Sequence, residues 1–473
     1  MSRSQAPCQD RQHGGSDRGS ASAKARSEDG RSFVIPDASG GAFAAGTVLV
    51  LDHGGRRQLA LVEERGTGDV PWVSGRLVGE LDGGRLDVRA SHPFTGADAT
   101  IADHDTIELL HEATGARLEI GENLTDPGGP ARLLPTRFNR HTFWCGQSGS
   151  GKTYALGVVL EQVIAHTALP VVIFDPNSDF VRLGELNPGA SGPDAEALAQ
   201  RDIRVLRPRG EGAAGLRARF RDMPIASKAA ALRLDPIVDR AEYNVFVQLQ
   251  RETSLADLGQ IVAKLRNGGA EGHALAERLE NLGLLEWEVW ARDDIAITDV
   301  VDARPDATVV DLGGFSTPEQ QLVVALSLLD ELWARREERR PVLLVIDEAH
   351  NLTSPTLDSP LAVAVRERLV QIAAEGRKYG LWLLLSTQRP SKVHTGILSQ
   401  CDNLALMKMT SPSDLVELGT YFGYAPAALL ARSPWFRQGE ALFAGGFVPI
   451  PTLVKMRTRL TPEGGTDVGV PMR

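Results

Sequence analysis

The stretch Gly146-Gln147-Ser148-Gly149-Ser150-Gly151-Lys152-Thr153 satisfies every position of the pattern G-x-x-x-x-G-K-[ST]. Glycines at this spacing let successive backbone N–H groups turn inward around a phosphate. A helix opening near Lys152 would aim its positive dipole end at the same anion. Lys152 is then placed to reach the β- and γ-phosphates of ATP, and the Thr153 hydroxyl to hold Mg2+. A glycine-rich chain can meet such a pattern by chance, but this one sits between a strand-like run and a helix-like run, as phosphate binding requires.

Two further strings carry complementary chemistry. Val342-Leu343-Leu344-Val345-Ile346-Asp347-Glu348 is an apolar run ending in two acids. On a buried strand it would deliver Asp347 to hold the metal through water and Glu348 to polarise an attacking water. Alone, the acid pair reads equally well as a solvated turn; beside an intact phosphate loop the catalytic reading wins. Leu381–Leu385 leads into Ser386-Thr387-Gln388-Arg389-Pro390, where Gln388 can orient the lytic water and report which nucleotide is bound, or simply finish a strand. Between these strings lies Glu375-Gly376-Arg377-Lys378-Tyr379-Gly380. Arg377 is a candidate for an arginine reaching a neighbouring subunit's transferring phosphoryl group, and Arg140 is a second; both read otherwise as surface cations. Asp175, after the run Val171–Phe174, either joins the water network of the metal or begins a turn with Pro176.

These side chains meet only if the elements that carry them are assembled in a particular way. His141–Cys145 reads as a strand, Thr153–His166 as a helix and Val171–Phe174 as a second strand, which is a βαβ unit and implies a parallel sheet. Thr308–Leu312, Val342–Ile346, Leu381–Ser386 and Leu404–Met409 supply more apolar runs of the kind covered on both faces. Thr317-Pro318-Glu319-Gln320 predicts a capping box with proline at the first helical position, for a helix reaching about Arg336. Ala226–Leu234, Ala241–Gln250, Leu255–Leu265 and Ala274–Trp290 show helical spacing and predict a helical insertion.

Ahead of this core, Thr47–Leu51, Leu59–Val62 and Trp72–Val78 are short apolar runs between turns such as His53-Gly54-Gly55 and Asp82-Gly83-Gly84, the texture of a small β-barrel. The expected organisation is a disordered tail (1–32), a barrel (33–126), a first core segment (127–185), the helical insertion (186–300), a second core segment (301–460) and a C-terminal tail (461–473). The fold class is α/β with a mainly parallel sheet.

At 473 residues the chain is long enough for two or three domains. A net charge of −10 means the whole surface is no magnet for nucleic acid, although a ring can confine its basic residues to a channel. Cys8, Cys145 and Cys401 have neither disulfide-framework nor metal-ligand spacing, which fits a reducing cytoplasm. No run approaches the roughly 18–20 apolar residues of a membrane span, and no apolar signal segment opens the chain, so a cytoplasmic protein without a membrane partner is expected.

Taken together the motifs resemble the HerA branch of the HerA–FtsK ATPases. The strings that carry the resemblance are Gly146–Thr153, Phe174-Asp175-Pro176-Asn177-Ser178-Asp179-Phe180, Val345-Ile346-Asp347-Glu348-Ala349-His350-Asn351, Glu375–Gly380, Ser386-Thr387-Gln388-Arg389-Pro390-Ser391, Ser399-Gln400-Cys401-Asp402-Asn403 and Gly439-Glu440-Ala441-Leu442. The resemblance implies a RecA-like core behind the barrel of HerA proteins, and a homohexameric ring with ATP sites between subunits. It also implies translocation along double-stranded DNA, coupled to a nuclease partner of the NurA type or another effector, in DNA end processing or anti-phage defence. By carry-over Arg377 matches an arginine-finger position and Gln388 a sensor position. The family often has His-Gly-Glu where this chain has Asn177-Ser178-Asp179.

Competing readings differ in class. The string Asp347-Glu348-Ala349-His350 invites the DEAH-box helicases, but no second lobe with a Q-x-x-G-R-x-G-R string follows, which leaves His350 as a packing or hydrogen-bonding residue. A conjugation- or secretion-type ATPase would share the fold. A regulatory ATPase scaffold that assembles a nuclease or toxin without translocating would share the site.

Overall fold

The structure is a computed structural model that describes residues 24–38, 43–66, 69–252, 258–292 and 295–465. The chain divides into two units, one ending at Ala102 and one beginning at Asp103.

The first unit comprises β1 (Lys24–Ser27), β2 (Ser32–Ile35), β3 (Val48–His53), β4 (Arg56–Gly66), β5 (Trp72–Asp82), β6 (Arg85–Asp87) and β7 (Phe94–Ile101). Because β2 pairs with both β1 and β5, the ring β1-β2-β5-β4-β3-β7 closes on itself, with β6 a hairpin extension of β5. Closure leaves the ring no open edge. The long pair β4–β5 slips register at Leu59/Ala60 and Val62/Glu64, and such bulges bend strands around a small barrel. Phe33, Ile35, Leu49, Leu51, Val62, Val73 and Phe94 are among the side chains that fill it.

The barrel is shifted from the expected 33–126. Of the expected tail, residues 1–23 lie outside the described residues, whereas Lys24–Ser27 is a strand. Only Ala25 and Ser27 of β1 point inward, and it is held by its ladder to β7, so its composition carried no apolar signal. The barrel ends with β7. Next comes α1 (His104–Thr114), capped by the Asp103 side chain on the Thr106 N–H and stopped by Gly115. After it, β8 (Leu118–Asn123) and β9 (Pro130–Leu133) belong to the second unit's sheet. The partner of β8 is Thr452–Met456, near the other end of the chain, a pairing that no local pattern reveals.

The second unit continues with β10 (His141–Cys145), α2 (Lys152–His166), β11 (Val171–Asp175), α3 (Pro193–Ala199) and β12 (Ile203–Leu206). A helical group follows, α4 (Ile225–Ala231), α5 (Arg240–Glu252), α6 (Leu258–Arg266), α7 (Ala270–Asn281) and α8 (Ile297–Asp302). The chain then returns through β13 (Ala307–Asp311), α9 (Pro318–Ala334), β14 (Val342–Ile346), α10 (His350–Thr353), α11 (Pro360–Glu375) and β15 (Leu381–Thr387). It closes with α12 (Thr395–Leu398), β16 (Cys401–Leu406), α13 (Pro412–Tyr421), α14 (Ala427–Leu430), β17 (Glu440–Gly445) and β18 (Thr452–Met456). The strand order is β12-β13-β11-β14-β15-β10-β16-β17-β18-β8-β9. Every pairing from β12 to β16 is parallel, and β17, β18, β8 and β9 extend the sheet antiparallel.

Strands β10, β11, β13 and β14 are buried along their whole length, as parallel strands covered on both faces must be. Register aligns Cys145 with Thr387, Ile346 with Leu385 and Phe174 with Ile346. The C-terminal ends of β10, β11, β14 and β15 are therefore level at one sheet edge, where ligand crevices form in such folds.

Three expectations are corrected in this unit. The stretch 186–300 is not all helical insertion, because β12 is a sheet strand; Arg204 interrupts its short apolar pattern, and the β13 ladder alone fixes it. Thr317 makes no side-chain cap; Gln320 instead donates back to the Ser316 and Thr317 hydroxyls. The C-terminal tail begins later than 461. Thr461 is buried and bonded to Glu161, and the Gly464 N–H donates to the Asp179 carbonyl. Residues 466–473 lie outside the described residues. Among the described residues no helix is long and apolar enough to cross a membrane.

Candidate functional site

The loop after β10 takes the shape its sequence requires. Gly149 and Gly151 stand at φ 74° and 85°, a left-handed backbone that side chains with a Cβ rarely adopt. Gly151 is the N-cap of α2, so Lys152 and Thr153 occupy its first turn, where unpaired N–H groups and the helix dipole favour an anion.

Lys152 is buried, and its amine lies 2.7 Å from Asp347 Oδ1, 2.8 Å from Ser386 Oγ and 3.4 Å from Glu348 Oε1. Ser386 Oγ in turn donates to Asp347 Oδ1 at 2.6 Å. Burial opposes the charge on Lys152, but Asp347 and then Glu348 outweigh it and hold its pKa above the ordinary lysine value. Gln388 Nε2 donates to Glu348 Oε1 at 2.9 Å, and His350 Nδ1 lies 3.3 Å from Glu348 Oε2 and 3.1 Å from Thr387 Oγ1. For Glu348, burial pushes the carboxyl up, but His350, Lys152 and Gln388 together hold it down to about 2. The Lys152 amine thus lies on both acids, Asp347 and Glu348.

Glu348 also has a left-handed backbone, φ 44°. A non-glycine residue held there costs on the order of 1–3 kcal/mol and persists only where its surroundings fix it. Here Asp347 N–H donates to the Phe174 carbonyl and Ala349 N–H to the Ser386 carbonyl, which clamps the turn between β11 and β15. Asp347 Oδ2 is buried with no hydrogen-bond partner. That unpartnered carboxylate oxygen fits the oxygen-only, water-rich coordination that Mg2+ prefers.

Asp175 lies at the same edge, but its two oxygens accept the N–H groups of Asp179 and Phe180, so its side chain closes the turn that follows β11. Burial raises its pKa to about 7. Asp179 beside it is raised to about 6, first by burial and then by the Asp347 charge.

The two candidate arginines are elsewhere. Arg377 NH1 lies 2.8 Å from Asp402 Oδ2, and Arg140 Nε lies 3.5 Å from the same oxygen. Arg140 directly precedes β10, Asp402 lies at the start of β16, and Arg377 is in the turn before β15. All three are therefore at the N-terminal edge of the parallel strands. The five residues of β10, at about 3.3 Å each, put that edge roughly 16 Å from the phosphate loop. Neither arginine serves its own chain's loop.

Sequence reasoning missed Ser386 as a site residue, although it lay inside a quoted string, and left His350 without a catalytic connection. The signal was present: Ser386 directly follows the apolar run 381–385, and His350 stands two residues after Glu348 in the string that ends the run 342–346.

Residues 118–332 match the family described as "Helicase HerA, central domain". The DNA double-strand break repair helicase HerA of Sulfurisphaera tokodaii is 30% identical over 173 residues, covering 34% of each chain. "Probable helicase MJECL08" of Methanocaldococcus jannaschii is 30% identical over 141 residues, 30% of this chain and 26% of that one. These matches span well under half of the relatives' own lengths. The DNA double-strand break repair helicase HerA of Pyrococcus furiosus is 21% identical over 483 residues, covering 84% of this chain and 80% of that one. Among solved structures, VirB4 of Thermoanaerobacter pseudethanolicus superposes with a TM-score of 0.50 at 17% identity, covering 72% of this chain and 97% of that one. The plasmid coupling protein TrwB does so with 0.50 at 14% identity, covering 77% and 95%. Both show the fold.

Proposed function

We propose that this chain, a HerA-type P-loop ATPase, hydrolyses ATP at sites between the subunits of a homohexameric ring and uses the turnover to move along double-stranded DNA. The observation that carries the ATPase reading is the network of buried Lys152, Asp347, Glu348 and Ser386, with the exposed Gln388 bonded to Glu348. It brings together the phosphate cation, the metal carboxylate, the water-polarising carboxylate and the polar sensor. The DNA comes from the relatives' names, while the ring, and a nuclease of the NurA type or another effector as the partner that would cut, come from the resemblance of the motifs to the HerA branch.

When the triphosphate arrives, the Lys152 amine leaves Asp347 for the phosphate oxygens. Thr153 and Asp347 would hold Mg2+, whose charge neutralises the β- and γ-phosphate oxygens. With Lys152 gone, burial still pushes the Glu348 carboxyl up while one of the groups holding it down has departed, so its basicity rises when a water needs polarising. Gln388, already bonded to Glu348, is positioned to orient that water. Arg377 and Arg140, out of reach of their own loop, are available to a neighbour's γ-phosphate.

The test is steady-state ATPase of the wild type and Lys152→Ala, with and without linear double-stranded DNA, at low and moderate salt. The expected result is a DNA-stimulated rate that disappears in the variant and weakens with salt, as phosphate contacts require. Turnover that ignores DNA would overturn the motor reading and favour a regulatory scaffold.

A further inference from the structure

Among the described residues after 300, the exposed large hydrophobic side chains are Val416 and Trp435, at 72% and 79% exposure. A lone surface tryptophan needs no explanation by itself, but the position of this one does. Its segment is tied at one end, through Met407, to the end of β10 and at the other to the phosphate loop. Ser433 Oγ donates at 2.7 Å to the Met407 carbonyl, and the Met407 N–H donates to the carbonyl of Cys145, the last residue before Gly146. Six residues on, the Gly439 N–H donates at 3.0 Å to the Ser150 carbonyl, inside the loop. Trp435 lies two residues from the first anchor, so their Cα atoms are at most about 7.6 Å apart. Its neighbour Phe436 is buried and fixes the segment.

The order of the sheet says which part of a bound nucleotide passes there. The groups that act on the terminal phosphate, Asp347, Glu348 and Gln388, follow β14 and β15, on one side of β10. A triphosphate with its γ end on that side runs its nucleoside end the other way, over β16 and β17. That is where the 433–439 segment lies, together with Thr410, whose hydroxyl donates to Gln147 Oε1 at 2.8 Å, and α13, which carries Val416.

We propose that Trp435 is the platform on which the nucleobase of the bound nucleoside triphosphate stacks. The proposal rests on the reading of Gly146–Thr153 as a nucleoside triphosphate site and adds a binding residue to it. Stacking on a base tolerates any π-face, so Trp435 strengthens ATP and GTP binding alike and leaves phosphate recognition to the loop.

The experiment compares Kd for ATP, GTP and inorganic tripolyphosphate, by calorimetry with Mg2+, in the wild type, Trp435→Ala, Trp435→Phe and Lys152→Ala, with the assembly size of each measured in parallel. The expected result for Trp435→Ala is ATP and GTP binding weaker by on the order of tenfold, unchanged tripolyphosphate binding and substantial recovery in Trp435→Phe. Unchanged ATP affinity in Trp435→Ala overturns the proposal, as does equal weakening of ATP and tripolyphosphate. Loss of assembly with nucleotide affinity intact also overturns it, by making Trp435 a subunit contact. Failure of the underlying reading has a different signature: tripolyphosphate would bind Lys152→Ala as well as the wild type.

Discussion

On the proposed reading, Glu348 is a carboxylate that is quiet before ATP binds and active afterwards. It is buried, strained at φ 44°, and held down to about 2 by His350, Lys152 and Gln388 against a burial that pushes it up. Its charge is therefore secure in the unliganded protein down to strongly acid pH. Its contribution to stability is present above the unfolded pKa of about 4.3 and is lost as pH falls toward the folded value. Once Lys152 turns to the phosphates, their negative charge exceeds that of the one Mg2+ they bring, and a cation that held the carboxyl down is drawn away, so the carboxyl pKa climbs. The acid limb of kcat, which reports the ATP-bound site, is then expected above the value of about 2 held by the free site. A kcat that stays flat until the protein unfolds in acid would mean that Lys152 never releases Glu348. Glu348→Gln keeps the shape but cannot carry the charge. It should bind ATP normally and hydrolyse it slower by on the order of 100-fold or more, as read by single-turnover kinetics; wild-type hydrolysis would remove Glu348 from the mechanism.

At the level of elements, the sheet puts the phosphate loop and the two candidate arginines at opposite edges. Strand β10 ends at its own phosphate loop and starts beside Arg140, while Arg377 and Asp402 flank the starts of β15 and β16. If these arginines act in a neighbour's site, rings mixed from wild type and Arg377→Ala should lose activity faster than the mutant fraction rises. A proportional loss, in ATPase titrations at fixed total subunit concentration, would place Arg377 outside any shared site. The sequence made much of this legible. The apolar runs of β10, β11, β14 and β15 are continuous because both faces are covered, and those of β10, β14 and β15 lead straight into the glycine loop, Asp347 and Ser386, so motif and element point to each other. What stayed hidden is what long-range pairing decides. β1 is a polar strand held by β7, β12 an interrupted edge strand held by β13, and β8 finds β18 across almost the whole second unit. Ser386 and His350 were in plain view, but the bonds that give them a role depend on how β14 and β15 lie side by side.

For the molecule as a whole, the governing number is the net charge of −10. An acidic protein that draws DNA to its outer surface works against its own field, whereas one that threads DNA through a lined channel can keep the few cations it needs in one place. The two arrangements differ in topology as well as in charge. A closed ring loads over a DNA end, and a surface patch binds any duplex it meets. ATPase stimulation should therefore be strong with linear duplex and fall several-fold when the same sequence is supplied as a covalently closed circle at equal base-pair concentration. Linearising the circle with a single double-strand cut should restore it. In both cases stimulation should weaken as salt rises, because phosphate contacts release counterions whichever way the duplex is held, so salt alone cannot distinguish them. Equal stimulation by circle and line would mean that the DNA lies on an open surface or that the ring opens readily. The arginines at the N-terminal sheet edge, left without a neighbour's phosphate to meet in a closed ring, would then need another role.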